Sequence, residues 1–442
     1  MGFDLRVVFE LGPVTLLGRG GDAADSARDF LGRNGVEVRW IDLDLDPLAS
    51  MLPREELRAG SLPLAIFADG SRLEAPPTYI ERTAGLDRAT LVEARASRIW
   101  LADLARGAGL PTQPTQDLYD LLIVGAGPAG LTSAVYAASE GLRTLVSEIH
   151  VPGGQAATSS RIENYPGFPD GISGGELASR TYRQALRLGA EFLIGAGALS
   201  AVVDEGGVVE VELASRTAVR ARSVILALGV NYRRLEAVGV ERLIGRGVHY
   251  GAASGAASAY RDRRVVIVGA ANSAGQAALS LAELAAEVTL LVRGDSIERK
   301  MSRYLIDRIE KDERITVHIE TTVTEACGQD WLEEIVISGP MGEETLPAQG
   351  LFVLIGAAPL TATISDWLRC DERGYVLSGP DLGRAQGGSG WPLDREPLHL
   401  ETSQPGIFVA GDVRHGSVKR VASAVGEGAM AASLVNVFLA SE

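Results

Sequence analysis

Short apolar runs alternate with segments of helical periodicity along most of the chain. LLIVG (121–125) and VVIVG (265–269) are continuous apolar runs that end on glycine, which is typical of strands buried in a parallel sheet. Each is followed by an alanine-rich segment with helical spacing and then by a second apolar run, RTLVSE (143–148) or EVTLLVRG (287–294). The repeated strand–helix–strand pattern predicts an α/β fold with two Rossmann-like dinucleotide-binding domains.

The first 88 residues follow a different order of elements. The predicted elements are strands over 14–19 and 36–44, a helix over 25–35, a hairpin over 62–76 and a helix over 78–86. This order resembles the glutaredoxin or thioredoxin fold, and Pro63 stands where that fold carries a cis-proline. The CxxC of the fold would fall at residues 21–24, where no cysteine is present. We therefore expect this domain to dock or pack without redox chemistry.

The first strand–helix junction carries the glycine pattern of a dinucleotide site. Gly125, Gly127 and Gly130 are spaced as G-x-G-x-x-G. The first glycine allows the tight bend, the second lets a pyrophosphate approach the backbone, and the third lets helix and strand pack closely. The helix is expected to begin near Pro128, with its N-terminus towards the phosphates. Glu148 ends the next strand, where an acid accepts ribose hydroxyls.

Residues 117–442 resemble the bacterial thioredoxin reductases, within the FAD-dependent pyridine nucleotide-disulfide oxidoreductases. The resemblance is carried by GAGPAG (125–130), GGQ (153–155) and IENYPGFP (162–169), and by a second FAD motif over 402–432. In that second motif Asp412 faces the ribityl chain, and a helix beginning near Lys419 points at the flavin. The resemblance implies FAD contacts from Gly125, Gly127, Pro128, Ala129, Gly130, Glu148, Gly154, Gln155, Asn164, Gly411, Asp412, Lys419 and Arg420.

Two features of this region depart from the family. Lys419-Arg420 stands where the family usually has Arg-Gln, a change that affects either the flavin or only the surface. The second departure is the absence of the redox cysteines. Aligned on GRGV (245–248) and Tyr250, the family's Tyr-Cys-x-x-Cys-Asp places Gly251 and Ser254 at the two cysteines. Thiol–disulfide exchange needs two sulfurs, so the usual dithiol relay is excluded at this position.

The second dinucleotide motif is altered as well. The family's NADPH domain is implied here by Gly269, Asn272, Ser273 and Ala274, but Ala271 replaces the middle glycine, and its methyl group is expected to intrude on the pyrophosphate. Arg293 ends the following strand in place of an acid, which favours NADPH over NADH. Arg299, Lys300 and Arg303 follow, and they belong either to a 2′-phosphate site or to a solvated helix face.

The composition and net charge limit the classes of partner that the protein is expected to bind. The chain has 442 residues and a net charge of −15, which argues against nucleic acid or an anionic membrane as partner. We expect no membrane-spanning run, no signal peptide and a cytoplasmic location. The two cysteines, Cys327 and Cys370, are either buried thiols or a redox pair, and no metal site is expected. His249 and His415 are candidate proton donors or ordinary loop histidines.

These observations predict five segments and three possible functions. The segments are a thioredoxin/glutaredoxin-like domain (1–88), a helical linker (89–116), the two parts of an FAD-binding domain (117–232 and 359–442) and an NAD(P)H-binding-type domain (233–358). The leading hypothesis is an enzyme that passes electrons from NAD(P)H through FAD to a small molecule or electron carrier. The alternatives are an FAD enzyme that oxidises its own substrate without NAD(P)H, and a non-catalytic sensory or binding flavoprotein. The resemblance also implies a homodimer.

Overall fold

Two compact units make up the chain. The computed structural model describes residues 13–19, 22–46, 62–77, 79, 88–159, 162, 164–244, 246–250, 260–361, 364, 367–384 and 391–441. The first unit comprises residues 1–157, 176–230 and 359–442, and the second comprises residues 158–175 and 231–358. Residues 158–175, which the sequence analysis assigned to the FAD-binding domain, thus group with the second unit.

The N-terminal part of the first unit is a four-stranded sheet with two helices. Its elements are β1 (Val14–Gly18), α1 (Asp22–Arg33), β2 (Val38–Asp42), β3 (Leu64–Phe67), β4 (Arg72–Glu74) and α2 (Arg88–Gly107). The strand order is β2-β1-β3-β4, with β1 parallel to β2 and antiparallel to β3. The Leu62–Pro63 peptide is cis, as expected for this position. The helix predicted over 78–86 lies outside the described residues, apart from Tyr79.

A mixed sheet forms the rest of the first unit. Its elements are β5 (Tyr119–Val124), α3 (Pro128–Ser139), β6 (Thr144–Glu148), α4 (Gly174–Arg187), β7 (Glu191–Ile194), β8 (Ala198–Val203), β9 (Val209–Leu213) and β10 (Ala218–Leu226), with α7 (Pro380–Arg384), β21 (Ile407–Val409) and α8 (Val421–Ser441). The sheet order is β7-β6-β5-β10-β9-β8, and β21 also pairs with β10. Strands β5, β6, β7, β10 and β21 are parallel where they pair, because α3 and the later elements return the chain to the same edge.

The second unit repeats the parallel plan. Its elements are β12 (Val248–Tyr250), β13 (Arg264–Val268), α5 (Asn272–Ala282), β14 (Glu287–Leu291), α6 (Arg303–Ile309), β15 (Ile315–His318), β16 (Thr322–Cys327), β17 (Glu334–Gly339), β18 (Gly342–Pro347) and β19 (Gly350–Val353). A five-stranded parallel sheet has the order β12-β19-β13-β14-β15, and β16-β17-β18 form an antiparallel sheet. Short strands β11 (Val230–Tyr232) and β20 (Ala357–Pro359) lie at the boundaries between the units. Both large sheets are of Rossmann type.

The last helix, α8, bears on the expectation that the chain contains no membrane-spanning run. Among the described residues, α8 is the one helix long and apolar enough to cross a membrane by length and composition. Its inner face is nonetheless part of the core of the first unit, with Ala431, Ala432 and Val435 fully buried. Packing of this kind is typical of a core helix of a globular domain. The helix begins at Val421, two residues after the predicted start at Lys419.

Candidate functional site

The first glycine turn is built by steric necessity. Gly125 has φ +101°, and a Cβ atom on Gly130 would lie 1.9 Å from the carbonyl oxygen of Gly125. A side chain at Gly130 would therefore separate α3 from β5. Gly127 is the N-cap of α3, Pro128 is its first residue, and a Cβ on Gly127 would meet nothing within 4 Å. The open side of the turn at Gly127 leaves room for a phosphate at the helix N-terminus.

Glu148 lies at the end of β6 and is bound to the glycine turn. Its carboxylate accepts hydrogen bonds from the backbone N–H of Ala126 at 2.7 Å and of His150 at 2.8 Å. The side chain is almost fully buried. Each carboxylate oxygen keeps a lone pair, so Glu148 can accept ribose hydroxyls in the place that the sequence predicted.

The second predicted FAD motif is held by charged groups. The backbone N–H of Gly411 donates to Glu427 at 2.7 Å, and Lys419 Nζ donates to the carbonyl oxygen of Asp412 at 2.7 Å. Burial raises the pKa of Asp412 and lowers the pKa of Lys419. The hydroxyl of Ser417 is buried without a hydrogen-bond partner. A bound polar group would satisfy that hydroxyl, since buried hydroxyls are rarely left unpaired.

The other predicted FAD residues are placed less uniformly. Gly154 has φ +56°, and a Cβ on it would lie 3.1 Å from Cα of Gly127, so the GGQ segment packs against the glycine turn. Gln155 donates its side-chain amide to the carbonyl oxygen of Val230. Asn164 is exposed and groups with the second unit. Gly154 therefore packs at the turn, and Asn164 stays a predicted FAD contact.

These residues fit FAD. The turn at Gly127 is open, an acid is fixed at the end of the adjacent strand, and an unpartnered hydroxyl lies in the second motif. Ala129 joins the two motifs, because a Cβ on Gly428 of α8 would lie 2.2 Å from its carbonyl oxygen and a Cβ on Gly411 would lie 2.9 Å from its Cβ. Helices α3 and α8 therefore approach as closely as backbone allows.

The second unit carries a turn of similar backbone shape. Ala271 is the N-cap of α5, with φ −103° and ψ 177°, and Gly127 has φ −69° and ψ −175°. Both conformations are extended, so Ala271 is unstrained. Asn272 accepts a hydrogen bond from the backbone N–H of Ser302 at 2.7 Å, and Ala274 is fully buried. The turn fits a dinucleotide in its backbone and differs from the first at four residues, among them Ala271 in place of Gly127 and Ala274 in place of Gly130.

The basic residues after this turn divide into two kinds. Arg299 pairs with Asp295 at 2.8 Å, and Arg303 pairs with Asp307 at 2.8 Å on α6. Arg299, in the turn before α6, and Arg303, the first residue of α6, therefore pair with carboxylates at the solvent-exposed surface. Arg293, just beyond β14, is exposed, as is Ser273 in the turn. Arg293 is the basic residue of the run that best suits a 2′-phosphate.

His249 does not suit proton transfer at neutral pH. Its Nε2 lies 2.6 Å from the hydroxyl of Tyr260, and its ring stacks on Phe352 at 5.2 Å between centroids. Burial lowers the pKa of His249 to about 4 and raises the pKa of Tyr260 to about 12. Both groups are neutral near pH 7. Gly251 and Ser254, at the expected cysteine positions, lie outside the described residues.

We expect the buried pair of His249 and Tyr260 to make the unfolding free energy fall as the pH is lowered. Because the folded-state pKa of His249 is about 4 and its ordinary value is 6.5, the unfolded chain binds the proton first as pH falls. The stabilising contribution of neutral His249 is complete above pH 6.5, its ordinary pKa. It is lost as the pH falls towards about 4, its pKa in the folded protein. His249→Phe should flatten the decrease in unfolding free energy between those two pH values by about 1–3 kcal/mol. Denaturant unfolding of both proteins across that range measures it, and parallel pH profiles would contradict it.

The remaining titratable candidates do not form a redox or acid–base site. Cys327 and Cys370 are both free thiols and belong to different units. Burial raises the pKa of both thiols, in Cys370 to about 11, so neither is a ready nucleophile. His415 Nδ1 lies 2.8 Å from Asp371 and its backbone N–H donates to Val376. His415 therefore has a structural partner.

Sequence reasoning missed one ion pair in the second FAD motif. Arg414 and Glu427 pair at 2.7 Å, with 15% of each side chain exposed. Glu427 also accepts the N–H of Gly411 with its other oxygen. A glutamate otherwise surrounded by small residues in an apolar helix is an available signal, because such a charge needs a partner.

Comparison with known proteins agrees with this geometry. The sequence profile of the family described as pyridine nucleotide-disulphide oxidoreductase matches residues 119–428. Thioredoxin reductase of Listeria innocua is 34% identical over 319 residues, which are 72% of this chain and 92% of the relative. Thioredoxin reductase of Bacillus subtilis is 32% identical over 327 residues, which are 73% and 96% of the two chains.

Solved structures give the same result. Thioredoxin reductase from Streptococcus pyogenes has a TM-score of 0.65 at 31% identity, and the match covers 74% of this chain and 100% of that one. Thioredoxin reductase from Giardia duodenalis has a TM-score of 0.63 at 26% identity, with coverage of 74% and 100%. The chain is therefore an FAD-dependent oxidoreductase of the thioredoxin reductase-like pyridine nucleotide-disulphide oxidoreductase family, whose thioredoxin reductases use FAD and NADPH.

Proposed function

We propose that the chain passes electrons from NADPH, through FAD, to an acceptor that is not a protein disulfide. One observation carries the proposal: the FAD-type turn is complete, while the sequence has two cysteines, 327 and 370, and no CxxC. Disulfide exchange needs a second sulfur close to the first, and both thiols are free and stand outside any CxxC. The acceptor is then a small molecule, a quinone, a one-electron carrier or oxygen.

The chain's own residues would hold the two nucleotides. FAD, when bound, takes up a hydride and releases electrons singly or in pairs. Gly127 and the N-terminus of α3 receive the pyrophosphate, and Glu148 receives the adenosine ribose. Asp412 receives the ribityl chain, and Lys419 adds positive charge beside the second motif. Lys419 also lies 4.5 Å above the ring of Tyr375, which restricts its position.

The N-terminal part is assigned to a thiol-free thioredoxin/glutaredoxin-like domain in this proposal. Its strand order, β2-β1-β3-β4, supports that assignment. Residues 22–24, in the place of the usual CxxC, open α1 and include no cysteine. We assign to the whole chain a cytoplasmic location and a homodimeric state, as in the family it resembles.

Anaerobic mixing with NADPH, and separately with NADH, tests the function. We expect NADPH to bleach the visible flavin band rapidly, and oxidised thioredoxin not to restore it. A protein whose flavin is reduced by dithionite but not by either nucleotide would contradict the proposal. The result would then favour the alternative in which FAD oxidises a substrate of its own without NAD(P)H, which the methyl of Ala271 supports.

The two turns allow a reciprocal exchange of one methyl group. We expect Ala271→Gly to tighten NADPH binding by about threefold, and Gly127→Ala to weaken FAD binding by at least that factor, because each N-cap faces a pyrophosphate. Both positions have extended backbone, so neither change should alter the unfolding midpoint appreciably. Isothermal titration with each nucleotide measures the effect. An NADPH affinity unchanged in Ala271→Gly would show that the methyl does not face the pyrophosphate.

A further inference from the structure

The side chain of Asn34 connects the N-terminal domain with the segment that follows β6, close to the first glycine turn. Asn34 follows the last residue of α1, and its side-chain amide donates to the carbonyl oxygen of Phe30 at 2.8 Å and of His150 at 3.0 Å. Only the NH₂ group of an amide donates, so two carbonyl partners fix the orientation of the side chain. Asn34 and His150 are 116 residues apart in the sequence. This contact therefore joins the domain ahead of the family match to the cofactor-binding part.

The backbone of His150 passes this contact to Glu148. Its carbonyl oxygen accepts from Asn34, and its N–H donates to Glu148 Oε1 at 2.8 Å. Glu148 Oε2 accepts the N–H of Ala126, inside the glycine turn, at 2.7 Å. A carboxylate held at both oxygens has one orientation. This series of hydrogen bonds thus runs from Asn34, at the end of α1, through His150 to Glu148, which we assign to the adenosine ribose. It continues to Ala126 in the glycine turn.

The support behind Asn34 is rigid. Gly35 has φ +75°, and the N–H of Val36 donates to the carbonyl oxygen of Leu31 at 3.0 Å, which is the hydrogen bond of a glycine-terminated helix. Helix α2 holds the same domain against the FAD-binding sheet from a second side. Arg106 donates to the carbonyl oxygen of Ser215 at 2.8 Å. The N-terminal domain and the FAD-binding part belong to one compact unit.

Close packing holds α2 against the sheet. A Cβ on Gly195 would lie 2.9 Å from Cβ of Ala105 and 3.1 Å from the carbonyl oxygen of Leu101. Ile194, at the end of β7, is part of the hydrophobic core of the N-terminal domain. A domain fixed in this way can position a neighbouring residue, whereas a domain on a flexible linker cannot.

We propose that Asn34 is a positioning residue for FAD, which fixes Glu148 through the backbone of His150 and makes the N-terminal domain a support for the adenosine half of the cofactor. This proposal rests on the assignment of the first glycine turn to FAD. It gives the thiol-free domain a role that requires neither cysteine nor movement. The series does not include Asp412 or Lys419, which we assign to the ribityl chain and the second FAD motif.

Binding of three probes to the full-length apoprotein tests the proposal. We expect Asn34→Ala to weaken FAD and ADP, which both carry adenosine, by about fivefold each, the usual effect of losing one hydrogen bond. FMN, which lacks adenosine, should bind both proteins equally. The control is Arg33→Ala, the preceding residue, whose side chain pairs with exposed Asp29 at 3.3 Å, its one ion pair among the residues that the structure describes. It should leave all three affinities unchanged.

Two outcomes would overturn the proposal. FAD and ADP affinities within twofold of wild type would show that Asn34 does not position Glu148. An equal loss of FMN would show a general loss of folding. If Asn34→Ala does not fold, Asn34→Asp keeps the size of the side chain but removes its donors, and the same criteria apply. A wild-type protein that binds no FAD would instead contradict the cofactor assignment itself.

Discussion

Replacing Gly428 by alanine should lower the unfolding free energy by about 2 kcal/mol and release FAD. A Cβ there would lie 2.2 Å from the carbonyl oxygen of Ala129, so α8 has to move away from α3. That shift would also break the hydrogen bond from Ser133 Oγ to the Gly428 carbonyl oxygen, 3.0 Å long. Because α3 and α8 each follow one FAD motif, their separation disturbs both. Denaturant unfolding and the flavin retained after gel filtration measure the two effects.

The same helix offers a matched control. A Cβ on Gly426, two residues earlier, would meet nothing within 4 Å. Gly426→Ala should therefore stabilise the protein by up to about 1 kcal/mol, the difference in helix propensity between the two residues. If both variants behaved alike, the close approach of α3 and α8 would not be the reason for glycine at position 428.

Loss of the charge on Glu401 should cost about 3 kcal/mol of unfolding free energy. Its side chain is fully buried and pairs with Arg395 through both oxygens at 2.7 Å. It also accepts the backbone N–H of Leu398 at 2.8 Å and of Gly406 at 3.0 Å. Glu401→Gln replaces one acceptor oxygen by a donor that faces other donors, and breaking one partner of a buried pair is strongly destabilising. Urea unfolding measures the change.

Two further variants distinguish this pair from ordinary surface charge. Glu396→Gln, at an exposed position of the same segment, should change stability by less than about 0.5 kcal/mol. Arg395→Met combined with Glu401→Leu should be less destabilising than Glu401→Gln alone, because no unpaired charge is left in the core. A Glu401→Gln variant as stable as wild type would show that the four hydrogen bonds contribute little.

The sequence predicted the parts of the site that depend on backbone geometry. Gly125, Gly127 and Gly130 could be placed from their spacing. Close backbone contacts exclude a side chain at Gly125 and Gly130, and Gly127 is expected to leave room for a pyrophosphate. Glu148 followed from the length of one strand–helix–strand unit. The altered residue Ala271 was also visible, and the structure adds that its backbone is unstrained. Roles inferred for these residues in nucleotide binding stay predictions until the binding experiments are done.

The parts that could not be predicted depend on contacts distant in sequence. The hydrogen bond from Asn34 to His150 joins the residue after α1 to a residue in the bend after β6, and neither belongs to a motif. Glu401 looks like any loop glutamate until its burial is known. Helix α8 begins at Val421, close to the start predicted near Lys419, but the hydrogen bond from Lys419 Nζ to the carbonyl oxygen of Asp412 had no signal in the sequence. Polar residues outside periodic segments carry no signal of their tertiary partners.

The hydrogen bond between His249 and Tyr260 has a consequence for substitutions in the stretch of this chain that lies between them. The two residues flank the stretch that stands in place of the redox cysteines, and their side chains meet at 2.6 Å. Bringing the ends of that stretch together costs entropy, and this cost depends on the length of the stretch. The contact that offsets it is made by His249 and Tyr260, which lie outside the stretch. Substitutions between the two ends therefore leave this closure cost unchanged. Cysteines could be lost there, and another reactive group gained, without the rest of the domain having to refold.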